Sequence, residues 1–407
     1  MKPARSQFAT LAQIVKLIPP YLVDKLARTH GCDAHARTFT PWSHAVALVF
    51  AQLTHAFGLN EVCDTLSLHS GVLTASRHAH PPSRNAFSNA NKVRDPQMME
   101  DLFWAMLDHL RHLNPSFGKR YSGVPRRFKK VNLHAMDSTT IPLIAKCMDW
   151  AKHRRNKAAV KLHLLLGLMS SLPDVAHVRT AKGHDSTEAA RLCANLRPGD
   201  AVVFDKAYID FEFLYSLTLR QVSWVGRAKD NMDYEVVREH AAPKGRILRD
   251  VVIKLSGAKV SKDYPGELRL VEAMVEMDDG RLVQMQFITN NFDWAASTVA
   301  DVYKARWGIE VFFKEIKQTL KLGGFLGNNE NAIKWQIWSA LLTMLLLRFI
   351  AETGKWKYSY IRLISLIRGA MWECYDLFSL VASCGTGAGP PKLTRAVASE
   401  YLPGFSQ

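Results

Sequence analysis

Tyr303-Lys-Ala-Arg306-Trp-Gly-Ile-Glu310-Val-Phe-Phe-Lys-Glu-Ile-Lys317 is the stretch on which the interpretation of this sequence depends. At about 100° per residue, Tyr303, Arg306, Glu310 and Lys317 project from one helical stripe roughly 60° wide. A carboxylate between two cations and a phenol can hold a metal ion while its neighbours bind phosphate oxygens. The same spacing is also typical of solvated surface ion pairs, so the stripe alone leaves both interpretations open.

An apolar stripe beside this one predicts that the helix packs against a core. It consists of Ile309, Phe313, Ile316 and Leu320. Glu315 falls on the other side of the same helix, which makes Glu310 the better candidate for chemistry.

Composition and charge set the broad class of the protein. The chain has 407 residues, of which 48% are hydrophobic, and this length suggests two or three domains. Lys and Arg exceed Asp and Glu by 53 to 37, a net charge of +16, which favours nucleic acid over membrane as a partner. Charge alone does not exclude a generically basic protein.

The cysteines and the apolar runs favour a cytoplasmic protein. The six cysteines form no CxxC pair, which argues against a disulfide framework and a cysteine zinc site. The most apolar run, residues 337–350, is too short to span a bilayer and is interpreted as a buried helix.

Helical periodicity dominates residues 1–120, with helices predicted over 11–26, 42–57 and 98–113. Residues 80–94 resemble a loop leading into a basic helix. Arg84, Lys92 and Arg94 are candidates there for contacts with DNA, and a plain surface helix is the open alternative.

Two aspartates follow apolar strands. A strand over 131–136 is expected to stop at Asp137, and the buried strand 201–204 ends at Asp205. Strand ends are where side chains converge on a crevice in α/β sheets. Each aspartate alone could equally be a turn or helix cap.

Together, Asp137, Asp205 and Glu310 make a set of hard oxygen ligands. Such ligands select Mg²⁺ or Mn²⁺ rather than zinc. Three carboxylates on a basic chain are typical of two-metal phosphoryl transfer.

These residues carry a resemblance to a family. The pattern Tyr303-(2)-Arg306-(3)-Glu310-(6)-Lys317 matches the signature of DDE transposases of the bacterial insertion-sequence family 4 at every named position. The segments Met136-Asp-Ser-Thr139 and Phe204-Asp-Lys-Ala-Tyr208 resemble those around the family's two catalytic aspartates. Lys206 and Ala207 depart from the usual Arg-Gly but leave the carboxylate in place.

The resemblance implies an α/β fold: an RNase H-like mixed sheet flanked by helices, with a β-rich insertion and a helical N-terminal domain. The implied segments are a helical DNA-binding domain, the first part of the core, the insertion, the second part of the core with the Glu helix, and a helical C-terminal region and tail. Their ranges are 1–120, 121–229, 230–288, 289–350 and 351–407.

The resemblance also implies roles. Asp137, Asp205 and Glu310 would hold two Mg²⁺ or Mn²⁺ ions, and Tyr303, Arg306 and Lys317 would contact phosphates of the transposon end. The family uses a tryptophan to hold a flipped base, for which Trp224 and Trp294 are weak candidates.

The implied function is cut-and-paste transposition of an insertion sequence. The protein would be a bacterial, nucleoid-associated homodimer that binds terminal inverted repeats and target DNA. The alternatives are a catalytically inactive DNA-binding repressor and a stand-alone nuclease.

Overall fold

The chain is described in a computed structural model. The structure describes residues 3–34, 36–56, 58–119, 128, 131–154, 157–181, 185–241, 244–276, 280–319 and 326–384. It divides into two compact units. The sheet unit comprises residues 114–317, and the helical unit comprises residues 1–113 together with residues 318–407.

The sheet unit is built on one mixed sheet, which has ten strands within the described residues. The strands are β1 (Leu133–Leu143), β2 (Lys152–Arg154), β3 (Lys157–Gly167), β4 (Leu172–Thr180), β5 (Ala201–Phe204), β6 (Ser223–Arg227), β7 (Tyr234–Glu239), β8 (Ile247–Leu255), β9 (Leu268–Glu276) and β10 (Leu282–Thr289). The β structure predicted for residues 230–288 is therefore confirmed.

The strand order explains where the strand ends meet. Across the sheet the order is β4-β3-β1-β5-β6-β10-β9-β8-β7, and β2 pairs with the start of β3. The central strands β1, β5 and β6 are parallel to one another, β3 is antiparallel to β1, and β4 is antiparallel to β3. The carboxyl ends of β5 and β6 therefore lie at one edge of the sheet, beside the middle of β1.

Helices cover both faces of this sheet. They are α8 (Met148–Ala151), α9 (Asp185–Leu192), α10 (Phe211–Leu219), α11 (Val260–Asp263), α12 (Ala296–Ala305) and α13 (Trp307–Thr319). On one face, α9 and α10 enclose a core with Met136, Phe204 and the fully buried Trp224. Because side chains alternate along a strand, the residues after Met136 and Phe204 point to the other face, where α12 packs.

Two sequence predictions in this unit are wrong in detail. The strand that was expected to stop at Asp137 continues to Leu143, because β1 pairs antiparallel with β3 along its full length. The single helix expected over Tyr303–Lys317 is two helices that meet at Arg306. There the Arg306 amide donates to the carbonyls of both Val302 and Tyr303.

The helical unit contains α1 (Thr10–Val15), α2 (Pro20–Thr29), α3 (Pro41–Thr54), α4 (Leu59–Leu68), α5 (Ser70–Ala75), α6 (Arg84–Val93), α7 (Gln97–Leu113), α14 (Glu330–Thr353), α15 (Tyr360–Gly369) and α16 (Leu377–Ser383). Thr40 caps α3 by accepting from the Ser43 amide at 3.1 Å. The helix predicted over 11–26 is divided in two by Pro19 and Pro20.

Helix α14 is the centre of the helical unit. It packs against α3, α6 and α7, and the Trp335 Nε1 donates to the Arg94 carbonyl at 3.0 Å. The described residues 326–350, which the sequence assigned to the second part of the core, group with residues 1–113 instead. By length and composition α14 could cross a membrane, but most of its apolar stretch is buried inside the protein.

A buried ion pair fixes the chain before α12. Arg269 on β9 and Asp250 on β8 are almost completely inaccessible, and two guanidinium nitrogens donate to the two carboxylate oxygens at 2.8 Å each. The third nitrogen donates to the carbonyls of Asn291 and Trp294. The pair therefore holds the turn from which α12 starts.

Replacing Arg269 by methionine should strongly destabilise the protein, because Asp250 would remain buried without its counterion. The expected loss is about 3–5 kcal/mol in the free energy of unfolding, measured by urea denaturation. The control is Arg238→Met, which removes an exposed ion pair with Glu267 at 2.9 Å and should change stability little. Equal losses in the two variants would contradict the assignment.

Candidate active site

Strand pairing brings the two aspartates side by side. Met136 pairs with Phe204 in the parallel ladder of β1 and β5, and each is followed directly by an aspartate. Asp205 lies just after β5 and begins a 3₁₀ turn, Lys206–Tyr208. Asp137 lies inside β1, at the point where its pairing with β5 ends. Both side chains point to the face that carries α12.

Helices α12 and α13 bring the residues of the opening stretch to these aspartates. The Tyr303 hydroxyl donates to the Asp205 Oδ1 at 3.2 Å. The Arg306 Nη2 lies 2.8 Å from the Glu310 Oε1, and its Nη1 lies 3.9 Å from the Asp137 Oδ2. One phenol and one guanidinium thus connect all three carboxylates.

Burial disfavours the ionised form of Asp137. The pKa of its carboxyl is raised to about 6, mainly by burial and to a smaller extent by the nearby Glu310 and Asp205 carboxylates. The Ser138 amide, which donates to the Asp137 Oδ1 at 2.7 Å, and the Arg306 guanidinium oppose this shift. The Arg306 guanidinium therefore offsets only part of the cost of ionising Asp137 in this buried position.

Arg306 is buried at the centre of the site. Its side chain is 7% exposed, and its guanidinium lies 5.2 Å from the Tyr303 ring centroid and 6.0 Å from that of Trp307. Burial opposes its charge, but Tyr303, Glu310 and Asp137 together raise its pKa. Its Nε has no hydrogen-bond partner among the described residues.

Tyr303 stays a neutral donor. Burial and, after it, the Asp205 carboxylate raise its pKa to about 12. A phenol that keeps its proton can anchor Asp205 at any physiological pH.

The donor set suits a hard divalent cation by its chemistry. Three carboxylates come from three different elements. Burial and, after it, the charges of Glu310 and Asp205 raise the pKa of Asp137, so a bound cation would favour its ionised form. Over the described ranges, however, no three acidic, His or Cys side chains are close enough to hold a metal ion as they stand. The Arg306 guanidinium links two of the carboxylates instead.

Arg227 is a site residue that the sequence analysis missed. It ends β6, directly beside β5, and the register Phe204↔Gly226 places it next to Asp205. It is half-buried and lowers the pKa of Tyr303 electrostatically. Its signal in the sequence is that the mainly apolar run of residues 222–226 is followed directly by a charged residue, as the run of residues 201–204 is followed by Asp205.

The structure separates the other predicted residues. Lys317 is exposed on α13, two turns beyond Glu310. Arg84 and Lys92 are exposed on α6 of the helical unit. Arg94 has a structural role instead: it is 8% exposed, and its guanidinium donates to the carbonyls of Phe39 and Thr40.

The two tryptophan candidates differ in burial. Trp224 is fully buried, and its Nε1 donates to the Thr218 hydroxyl at 3.1 Å. Trp294 is half-buried in the turn held by Arg269, and its ring lies 5.7 Å from that of Phe128.

Comparisons with known proteins match both units. Residues 132–346 match the family described as Transposase DDE domain, and residues 6–75 match a domain of unknown function, DUF4372. A transposase named y4zB from Sinorhizobium fredii is 30% identical over 63% of this chain and 71% of its own length. The transposase described for IS5377 of Geobacillus stearothermophilus is 26% identical over 84% of each chain. InsG, described for IS4 of Escherichia coli, is 25% identical over 59% of this chain and 55% of its own length.

Asp137→Asn should stabilise the metal-free protein at neutral pH. Because the folded-state pKa of Asp137 is raised above the ordinary 3.8, ionising this carboxyl destabilises the folded protein. The parent protein therefore loses stability as the pH rises from about 4 to about 6. Thermal unfolding in EDTA should show a gain on the order of 1–3 kcal/mol at pH 7 that vanishes near pH 4.

The control for this prediction is Asp230→Asn, which changes an exposed carboxylate paired with Lys206. This variant should show no such pH-dependent gain. If the Asp137→Asn protein is less stable than the parent at pH 7, the destabilisation inferred from ionised Asp137 is contradicted.

Proposed function

From the membership of this chain in the DDE transposases of insertion-sequence family 4, we propose how its own residues carry out transposition. The protein is a DDE-type nuclease and strand transferase that moves an insertion sequence, and its family depends on divalent metal. The observation that carries the proposal is the convergence of Asp137, Asp205 and Glu310 on one face of the sheet, connected by Tyr303 and Arg306.

Asp137, Asp205 and Glu310 would be the metal ligands. Two Mg²⁺ or Mn²⁺ ions bound there would supply activation of water or a 3′-hydroxyl and stabilisation of the leaving oxygen. The protein's own part is to place three carboxylates from a strand, a strand end and a helix around one point. Tyr303 would fix the position of Asp205 by its hydrogen bond. The Arg306 guanidinium would offset the negative charges of Asp137 and Glu310 until metal ions bind.

The phosphates of the transposon end would be bound by cations around these carboxylates. Arg306 would exchange its carboxylate partners for a phosphate, since a guanidinium binds both through the same bidentate geometry. Lys317 would contact a neighbouring phosphate from the same helix. Arg227 joins this set because it ends the strand next to Asp205 and carries a charge with no ion-pair partner in the described part of the chain.

The sheet unit would have an RNase H-like core. Strands β1, β3, β4, β5 and β6 support this, since in order of appearance they are arranged 3-2-1-4-5, with the second antiparallel to the first. Strands β7 to β10 then represent the β-rich insertion. The helical unit would bind the terminal repeats through exposed cations such as Arg84 and Lys92. The protein would act in the cytoplasm as a homodimer that holds the two ends of the transposon together.

Glu310→Gln should abolish Mg²⁺-dependent cleavage of a duplex carrying the element's terminal repeat. Loss of a ligand is expected to lower the rate by more than about 100-fold. Glu315→Gln is the matched control on the same helix and should cleave as the parent does. A divalent-ion titration followed by thermal unfolding gives a second readout, in which only Glu310→Gln loses the stabilisation. Parental cleavage by Glu310→Gln would remove Glu310 from the site.

Arg227→Gln should weaken binding of the terminal-repeat duplex without unfolding the protein. Loss of one phosphate contact should make the slope of log K against log salt less steep by about 0.9. Fluorescence anisotropy over a salt series measures this slope. Arg249→Gln is the control, since Arg249 is a half-buried arginine on β8 of the same sheet. An unchanged slope for Arg227→Gln would argue against the phosphate contact.

A further inference from the structure

A basic and aromatic segment joins α14 to α15 in the helical unit. It reads Lys355-Trp-Lys-Tyr-Ser-Tyr-Ile-Arg362, with three cations, three aromatic residues and no acidic residue. It lies outside both regions that match known families, residues 6–75 and 132–346. We call Lys355, Trp356, Lys357, Tyr358 and Arg362 the 355–362 patch.

Local contacts order this patch. The Trp356 ring lies edge-on to the Tyr358 ring at 5.1 Å, and the Arg362 guanidinium lies 4.9 Å from the Tyr358 centroid. The Trp356 Nε1 donates to the Ser359 carbonyl at 3.1 Å. Lys355 adopts a left-handed φ of 52°, which turns the chain sharply after α14. Because the aromatic framework is already ordered, binding loses less side-chain entropy than a free run of lysines would.

The patch faces solvent rather than the core of the helical unit. Lys355, Lys357 and Arg362 are exposed, and Tyr358 is 39% exposed. On the same helix as Arg362, the next residues, Leu363 and Ile364, are buried and hold α15 in place. The charged ends of the three cationic side chains are therefore accessible to a ligand in solution.

We propose that the 355–362 patch binds the phosphate backbone of duplex DNA without selecting its sequence. Three exposed cations within eight residues favour a polyanion as the partner of this surface. The choice of DNA among polyanions rests on the proposed function. Two kinds of duplex DNA are not selected by their sequence: the target DNA and the DNA that flanks the element. The patch would bind one of these.

Counterion release sets the expected size of the effect. Three phosphate contacts contribute about −2.7 to the slope of log K against log salt. Removing all three should lower the affinity for duplex DNA about tenfold or more at low salt and make the slope less steep by about 2–3.

The experiment compares two triple variants with equal loss of charge. The test variant is Lys355→Gln, Lys357→Gln, Arg362→Gln. The control is Lys254→Gln, Lys259→Gln, Lys262→Gln, which removes three exposed lysines of the sheet unit. The probe is a fluorescent duplex of random sequence, titrated at several salt concentrations. Thermal unfolding confirms that both variants are folded, and Tyr358→Leu tests the ring beneath Arg362 without a change in charge.

The test variant should bind the random duplex about tenfold more weakly, with the less steep slope, while the control binds as the parent does. Tyr358→Leu should weaken binding by a smaller factor. Loss of strand transfer with cleavage of terminal repeats retained assigns the patch to target DNA. Loss of binding only to repeats that carry flanking duplex assigns it to flanking DNA.

Two results would overturn the proposal: parental binding by the test variant, or equal weakening in the test and control variants, which would reflect net charge only. The binding assay does not depend on cleavage. If Glu310→Gln cleaves normally while the test variant binds random duplex weakly, the proposed chemistry fails and the patch stands.

Discussion

The candidate site in the sheet unit depends on one guanidinium, that of Arg306, which lies among three carboxylates. Asp137, Asp205 and Glu310 converge in a partly buried site, where burial and, to a smaller extent, the other two carboxylates raise the pKa of Asp137. Arg306 reaches two of these carboxylates and lies against Tyr303, which holds the third. Removing this charge without supplying another would leave three carboxylates facing one another. A cation in the middle, whether a guanidinium or a bound ion, therefore stabilises the ionised carboxylates.

The frame around the site fixes these positions through long-range contacts. The parallel register of β1 and β5 aligns the two aspartates, and the buried Arg269–Asp250 pair holds the turn before α12. From that turn, α12 and α13 carry Tyr303, Arg306 and Glu310 to the sheet. The break between the two helices falls at Arg306 itself, the residue whose guanidinium contacts Asp137 and Glu310.

From the local sequence pattern, the residues that lie together were predicted more accurately than the bounds of the strands and helices that carry them. Asp205 was placed correctly because an apolar run ends there. The continuation of β1 past Asp137 was missed because it depends on pairing with β3, about 25 residues away, which periodicity does not report. Arg94 was assigned to a DNA-facing surface, yet its guanidinium binds carbonyls some 54 residues away in sequence. The break at Arg306 also escaped prediction, since helical spacing is nearly unchanged across one residue.

Anomalous diffraction from crystals of the protein soaked in Mn²⁺ tests the central claim most directly. The account predicts anomalous peaks bound by Asp137, Asp205 and Glu310, with the Arg306 guanidinium displaced from Glu310. Peaks elsewhere, with Arg306 still paired to Glu310 at saturating Mn²⁺, would contradict it.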